Sequence, residues 1–166
     1  MGKEIIIVTI SLGNDGAERI LTELARQWHH DGHTITVIQT SPNRYGTEYA
    51  LPEGIEQIQI HTTSSNKIIR FLQEIKALIG ILKQRPNATC LSFLSASSFI
   101  LAISSWFVNN RMVFSERNNP RKVPVGKYQQ MLRDFAFRFA DAIVFQTEDA
   151  KSYFSKSIQS RGHIIP

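Results

Sequence analysis

The chain of 166 residues is long enough for one domain with a full core, and its 42% hydrophobic and 20% charged residues exclude a disordered chain. A formal charge of +5 favours an anionic partner, such as a nucleotide, a phosphorylated glycan, an acidic lipid or nucleic acid. The single cysteine, Cys90, excludes an internal disulfide, and no zinc-type spacing of cysteine and histidine occurs, so we expect no metal.

Strands and helices alternate along the sequence. The predicted strands cover 5–10, 34–39, 55–60, 89–94, 111–115, 142–145 and 163–165, and the predicted helices cover 16–30, 66–84, 97–107, 127–140 and 147–157. Parallel strands need crossover connections, so this order predicts a doubly wound, Rossmann-like α/β domain over residues 1–166. We expect a mainly parallel sheet of six or seven strands with helices on both faces.

Local signals mark several helix ends. Asp15 is the predicted N-cap of the first helix, with Glu18 as its capping-box partner, and Gly32 is expected to end that helix. Thr147 is the predicted N-cap of the last helix.

The apolar segments predict a cytoplasmic protein. The run 5–10 is too short for a secretory signal, and no small-residue cleavage site follows it. The segment 91–107 is shorter than the ~20 residues that span a bilayer. It also contains six serines, so it predicts a strand followed by a buried helix.

Ligands of doubly wound sheets bind at the carboxyl ends of the strands, so the loops there carry the candidate residues. The first loop, in "SLGNDGAER", contains Gly13, Asn14, Asp15 and Gly16. Glycines allow close approach of a ligand, and the next helix offers N–H groups to a phosphate. Neither a dinucleotide fingerprint nor a P-loop occurs, and a glycine turn alone is more often structural. Both interpretations stay open.

Three later loops also end strands with polar side chains. In "SERNNP", the Glu116 carboxylate could accept a sugar hydroxyl or act as a base, and the Arg117 guanidinium could clamp a phosphate or carboxylate. A Glu–Arg surface pair that closes the loop is the alternative. The other candidates are Asn118, Ser92, Ser95, Gln146, Thr147 and Glu148. The last two also make a good helix start without any ligand.

The helix predicted over 66–84 is amphipathic and basic. It carries Lys67, Arg70, Lys76 and Lys83, with only Glu74 in opposition. Such a helix can lie on an anionic membrane, although its charges are more often a solvated face.

Several motifs together resemble family-4 glycosyltransferases. These are "DGAERILTELARQWHHDGHTITVIQT", "SERNNP", "ADAIVFQTEDAKSYF" and "HIIP". The resemblance implies a GT-B architecture of two Rossmann-like domains, in which this chain is the amino-terminal, acceptor-binding half. The carboxy-terminal donor domain would lie outside this chain. Two departures are Asp15, where the family commonly has glycine, and Glu116, where many relatives have histidine.

The resemblance implies a retaining hexosyltransferase that moves a sugar from a nucleotide-sugar donor to a glycan or lipid-linked acceptor in bacterial cell-surface polysaccharide synthesis. Glu116 would be the catalytic candidate, and the other named loop residues would bind substrate. The donor would bind mostly to the missing domain, so the fragment alone would be inactive. We expect no metal or other cofactor and no nucleic-acid partner. We do expect a peripheral contact with the inner face of the membrane. The alternative is a non-catalytic module that binds a nucleotide or phosphorylated ligand.

Overall fold

Seven strands form one sheet in the computed structural model, which describes residues 2–13, 16–41, 49–93, 95–122 and 126–166. The strands are β1 (Glu4–Thr9), β2 (Thr34–Gln39), β3 (Glu56–Gln59), β4 (Thr89–Ser92), β5 (Arg111–Glu116), β6 (Ala142–Phe145) and β7 (Gly162–Ile164). Their order across the sheet is β3-β2-β1-β4-β5-β6-β7, and every neighbouring pair is parallel. The prediction of a doubly wound, parallel α/β domain is confirmed.

The described helices connect these strands. They are α1 (Gly16–His30), α2 (Lys67–Lys83), α3 (Ser95–Ser104) with a 3₁₀ turn at Ser105–Phe107, α4 (Lys127–Phe137), α5 (Glu148–Ser152) and α6 (Lys156–Gln159). Gly32 has a φ of +84° and its N–H donates to the carbonyl of His29, so it ends α1 as predicted. Thr147 caps α5, because its hydroxyl accepts from the N–H of Ala150. The predicted cap Asp15 lies outside the described residues.

The single helix predicted over 147–157 is wrong, because two short helices replace it. Phe154 lies between them and is buried, with its ring 5.4 Å from that of Phe137 and 5.2 Å from that of Phe145. After Ser152 the chain tightens into i→i+3 hydrogen bonds, such as Phe154 N to Lys151 O at 3.2 Å, and Ser155 is extended, so the helix cannot continue through it. Gln159 Nε2 then donates to the Phe154 carbonyl at 2.6 Å, which holds the bend.

Two other helices end earlier than predicted. After Phe137 the chain tightens into i→i+3 hydrogen bonds, such as Phe139 N to Ala136 O at 3.0 Å, so α4 stops before residue 140. At the end of α3, the hydroxyl of Ser105 bonds back to the Ala102 carbonyl at 2.7 Å. Serine side chains that bond to the backbone in this way weaken regular helix, and the last three residues form a 3₁₀ turn.

The sheet is covered differently on its two faces. On face one, defined by Val8, Cys90 and Phe114, helices α2, α3 and α4 and the buried side chains of Phe154 and Ile158 form the larger core. On face two, defined by Ile7, Val37 and Leu91, α1 supplies the cover through Leu21 and Ala25. Cys90 is fully buried on face one, as its apolar surroundings in the sequence predict. Among the described residues, no helix combines the length and apolar composition needed to cross a bilayer.

Candidate functional site

The strand order reverses between β1 and β4. The chain adds β2 and β3 on one side of β1, and then returns to place β4 to β7 on the other side. The two connections therefore leave the sheet in opposite directions at this point, and doubly wound sheets generally bind ligands in a crevice at such a point, at the carboxyl ends of the strands. Every strand is parallel, so the candidate loops after β1, β4, β5 and β6 all lie along this one edge.

The β1–α1 loop is held by a carboxylate from α1. Glu18 is buried, and its Oε1 accepts from the hydroxyl of Ser11 at 3.1 Å. A Cβ on Gly13 would lie 3.1 Å from Glu18 Oε2, so a larger residue here would displace the Glu18 carboxylate slightly. A Cβ on Gly16, the first residue of α1, would meet nothing within 4 Å. The N-terminus of α1 is therefore open at Gly16, and the first backbone N–H groups of a helix have no helical partner. Asn14 and Asp15 lie outside the described residues.

The serine that ends β4 points inward. Ser92 is fully buried, and its hydroxyl lies 2.5 Å from that of Ser98 in α3. Its predicted contact with substrate stays a prediction. Ser95 is the first residue of α3. The neighbouring Phe93 is also buried, on face two, and it belongs to the same core cluster as Leu12 of the first loop.

Glu116 ends β5 on face one and is only 4% exposed. Its Oε1 accepts from the N–H of Asn118 at 3.0 Å, and its Oε2 lies 3.7 Å from Nη1 of Arg133 in α4. Burial raises the pKa of the Glu116 carboxyl above its ordinary value, while the Asn118 N–H and Arg133 oppose the rise. The carboxylate therefore holds the turn that follows β5, and it is an ion-pair partner rather than an exposed surface charge. Its predicted catalytic role stays a prediction.

Arg133 is a residue of this site that the sequence analysis missed. It is 3% exposed, and its guanidinium lies 4.7 Å above the Phe154 ring and donates to Asp134 at 3.0 Å. The available signal was its spacing on α4. Arg133 stands three and four residues before Ala136 and Phe137, on the face that packs against the sheet.

Arg117 lies on the opposite side of the sheet from Glu116. Its guanidinium lies 5.6 Å above the Phe93 ring. In the amide orientation that satisfies both of its polar atoms, Gln146 donates to the Arg117 carbonyl at 2.7 Å and accepts from Nη2 at 3.1 Å. Burial lowers the pKa of Arg117, but an arginine stays charged at neutral pH. Among the residues that the structure describes, no carboxylate forms an ion pair with it. Two predicted substrate-binding residues, Arg117 and Gln146, therefore contact each other. Arg117 is a half-buried cation, and its described partners Gln146 and Phe93 are neutral.

Arg117 closes one end of an apolar groove on face two. The groove has a volume of about 450 Å³ and runs over β4, β5 and β6, beyond the part of the sheet that α1 covers. Its apolar lining includes Ile5, Trp28, Leu91, Val113, Val144 and Ile165.

The remaining candidates lie beside this end of the sheet. Asn118 is exposed, and the next residue, Asn119, donates to Asp149 Oδ2 of α5 at 2.6 Å. Thr147 is occupied as the α5 cap, and Glu148 is exposed in the first turn of that helix. In the described part of the chain, no three His, Cys, Asp or Glu side chains come together to hold a metal ion.

A second, polar cavity lies beyond β3 at the same edge. It has a volume of about 220 Å³ and is lined by His61, Thr62, Ser64 and Arg70, together with Ile60. Arg70 belongs to the first turn of α2, so this cavity lies at the start of the basic helix.

The chain matches a known protein family along most of its length. The model of Glycosyltransferase Family 4 matches residues 14–166. A search of curated proteins finds no match. Among solved structures, the chain is similar to Anabaena Alr3699/HepE in complex with UDP-glucose, with a TM-score of 0.74 and 12% identity over 98% of this chain and 43% of that chain.

Two further solved structures are similar. The lipopolysaccharide outer core galactosyltransferase WaaB in its apo form has a TM-score of 0.70 and 12% identity, over 97% of this chain and 43% of that chain. The sucrose-phosphate synthase of Thermosynechococcus elongatus has a TM-score of 0.76 and 8% identity, over 99% and 48%. At these identities the similarity shows the fold alone. The chain spans less than half the length of each of these three proteins.

Proposed function

The chain belongs to glycosyltransferase family 4, and on that basis we propose that it is the amino-terminal, acceptor-binding half of a nucleotide-sugar-dependent transferase. The donor would bind mostly to a carboxy-terminal domain outside this chain. The length of the solved relatives supports this division, since the chain covers only 43% of HepE, whose structure contains UDP-glucose. The fragment alone would then lack transferase activity.

The observation that carries the proposal is the half-buried cation Arg117, which lies at the carboxyl edge of the sheet near the reversal of strand order. Arg117 follows β5, two strands away from β1, so about 10 Å of sheet separates it from the first loop. Its described partners, Phe93 and Gln146, are neutral. A guanidinium that is partly removed from water without a carboxylate gains most from an anionic ligand, which it can bind with paired donors.

The two sides of the crevice would then bind different substrates, the donor on one side and the acceptor on the other. The N-terminus of α1 and the backbone at Gly13 would approach the diphosphate of the donor, because helix N–H groups favour negative charge. Arg117, Asn118 and Gln146 would face the acceptor and hold a phosphate or carboxylate on it. Glu116 would keep the β5 turn in place through Asn118, and it is the candidate for direct contact with an acceptor hydroxyl.

The finer points of the proposal come from the family resemblance. We expect a bacterial hexosyltransferase that retains anomeric configuration and acts on a glycan or lipid-linked acceptor of cell-surface polysaccharide. We place the reaction at the cytoplasmic side of the membrane. The name of WaaB, a galactosyltransferase of the lipopolysaccharide outer core, supports this acceptor class.

The test uses the longer protein that contains this chain together with its donor domain. Transfer from UDP-sugars is measured for wild type, for Arg117→Ala and for Arg111→Ala. Arg111 is the matched control, because it lines the same groove from the other end of the same strand. We expect Arg117→Ala to lower kcat/KM for an anionic acceptor at least tenfold, with about 1.4 kcal/mol lost per tenfold. Donor affinity should be unchanged.

The isolated chain separates this proposal from its alternative. Calorimetric titration with UDP and UDP-sugars should show weak binding or none, and no sugar transfer should be detectable. Tight binding of a nucleotide by the chain alone would instead favour a non-catalytic binding module. An equal loss in Arg117→Ala and Arg111→Ala would contradict the assigned role of Arg117.

A further inference from the structure

One carboxylate of α5 contacts two residues of the segment that follows β5. Oδ2 of Asp149 accepts from Nδ2 of Asn119 at 2.6 Å, and Oδ1 of Asp149 lies 3.4 Å from Nε of Arg121. We call residues 117–122 the β5 loop. The β5 loop carries Arg117 and Asn118, so Asp149 is connected to two of the candidate substrate-binding residues through their immediate neighbours.

Arg121 makes further contacts with the same helix region. Its Nη2 donates to the hydroxyl of Ser152 at 3.3 Å, and its guanidinium lies 5.8 Å from the centre of the Tyr153 ring. The guanidinium of Arg133 lies 5.5 Å from the centre of the same ring. Cations are attracted to aromatic rings at such distances. The exposed Arg121 is therefore connected through Tyr153 to the buried cation that pairs with Glu116.

The amide of Asn119 couples this contact to the backbone of the β5 loop. Its Oδ1 accepts from the N–H of Arg121 at 3.0 Å, and the Asn119 carbonyl accepts from the N–H of Lys122 at 3.0 Å. Asparagine side chains form turns in this way by bonding to the backbone two residues further on. Because Asp149 binds the other end of the same amide, it fixes the direction in which this turn leaves the sheet.

The start of the β5 loop is attached to the same turn before α5. Gln146, which lies three residues before Asp149, bonds to the carbonyl of Arg117 at 2.7 Å and to its guanidinium at 3.1 Å. Thr147 caps α5 between these two positions, so both contacts come from one ordered helix start. Arg117 and Asn118 thus lie in a short segment that is held at both of its ends.

The exposure of these groups indicates a local role rather than a large contribution to folding. The side chains of Arg121 and Asp149 are 50% and 56% exposed. Ion pairs at such positions contribute little to the free energy of unfolding. Binding and catalysis respond much more strongly to position, since a displacement of ~1 Å can lower a rate about 100-fold.

We propose that Asp149 is a positioning residue for the acceptor site, which acts through Asn119 and Arg121 to keep Arg117 and Asn118 in place. The inference rests on the proposed function for the task of Arg117, which is to bind an anionic group of the acceptor.

The test measures transfer from UDP-sugars in the longer protein that contains this chain together with its donor domain. Asp149→Ala should raise the KM for an anionic acceptor about fivefold with little change in kcat, because it displaces groups that bind the acceptor. Asp149→Asn should restore part of the loss, since its amide oxygen can still accept from Asn119. Glu23→Ala is the matched control. It breaks a similarly exposed ion pair, that of Glu23 with Arg26 on α1 at 2.7 Å, and should leave this KM unchanged.

A double variant shows whether Asp149 acts through the β5 loop. Arg117→Ala/Asp149→Ala should have the same KM as Arg117→Ala alone, because the position of the loop no longer matters once its cation is absent. If the two effects multiply instead, Asp149 acts by another route and the inference is wrong.

Hydrogen exchange followed by mass spectrometry provides a readout that does not depend on transferase activity. Peptides that cover 117–122 should exchange faster in Asp149→Ala than in wild type or in Glu23→Ala, while the urea midpoints of all three proteins stay close together. Unchanged exchange in these peptides would overturn the inference.

The kinetic outcomes separate this inference from the proposed function. If wild type transfers sugar but the KM of Asp149→Ala is unchanged, or rises no more than that of Glu23→Ala, then only the role of Asp149 is refuted. If wild type transfers no sugar to any acceptor, the proposed function is refuted, and the positioning role in acceptor binding falls with it even when the exchange result is as expected.

Discussion

Replacing Arg133 with methionine should leave a buried carboxylate without its cation. Arg133 and Glu116 are 3% and 4% exposed, and Nη1 lies 3.7 Å from Oε2. Removing one partner of a buried ion pair costs about 3–5 kcal/mol. We expect about 3 kcal/mol, the lower end of that range, because within the described structure Oε2 accepts no hydrogen bond from the guanidinium. Such a loss is a large part of the ~5–15 kcal/mol that stabilises a typical domain.

The loss should depend on pH in a defined direction. Burial already raises the pKa of Glu116, and Arg133 is one of the groups that hold it down, so methionine should raise this pKa further. A carboxyl with a raised pKa in the folded state binds its proton more tightly there than in the unfolded chain. Its contribution to stability is therefore present below the unfolded pKa of about 4.3 and is lost as pH rises through the folded pKa. The cost of Arg133→Met should be smaller near pH 4.5 than at pH 7.

Urea unfolding followed by tryptophan fluorescence measures this cost at both pH values, with wild type at each pH as the reference. Arg138→Met is the matched control, because Arg138 is exposed at the end of the same helix and should change stability by less than about 0.5 kcal/mol. The double variant Glu116→Gln/Arg133→Met should recover part of the loss. An equal cost at both pH values, or no recovery in the double variant, would refute the reasoning.

Three further predictions concern single positions. Gly16→Ala should stabilise the chain by about 0.5 kcal/mol, because a Cβ there meets nothing, whereas Gly13→Ala should destabilise it by about 1 kcal/mol through its 3.1 Å contact with Glu18; thermal melts of the pair check both signs. Burial raises the pKa of Cys90 to about 12, so iodoacetamide should label it only in urea, and rapid labelling of the folded chain by mass spectrometry would contradict this. Thr147→Ala should cost about 1 kcal/mol by removing the α5 cap, and a Thr147→Ser control should retain most of the stability in urea unfolding.

The sheet was predictable because its signals are local. The β-branched run Ile5–Thr9 and the alternation of strands with long amphipathic helices required crossover connections, and these determine a parallel sheet. The C-terminal end of α4 and the break around Phe154 were not predictable in the same way. They depend on aromatic packing between α4, β6 and the last helices, which residues distant in sequence create.

The candidate site was also predictable only in part. Its location at the carboxyl edge of the sheet followed from the topology, since parallel strands bring all their carboxyl ends together. The burial of Glu116 did not follow, because it depends on Arg133, which reaches it from a helix that begins eleven residues later. The neutral partners of Arg117 are likewise distant in sequence, since Phe93 follows β4 and Gln146 follows β6.

The arrangement around β5 gives adjacent charged residues different access to a ligand. Glu116 faces Arg133 on face one, whereas Arg117 lines the groove on face two, as alternation along a strand requires. A ligand in the groove would therefore contact Arg117 directly and would reach Glu116 only through the turn that Asn118 closes. Because of this difference, Glu116→Gln should raise the KM for acceptor if the carboxylate only holds the turn. A fall in kcat at unchanged KM would instead place Glu116 in contact with the reacting atoms.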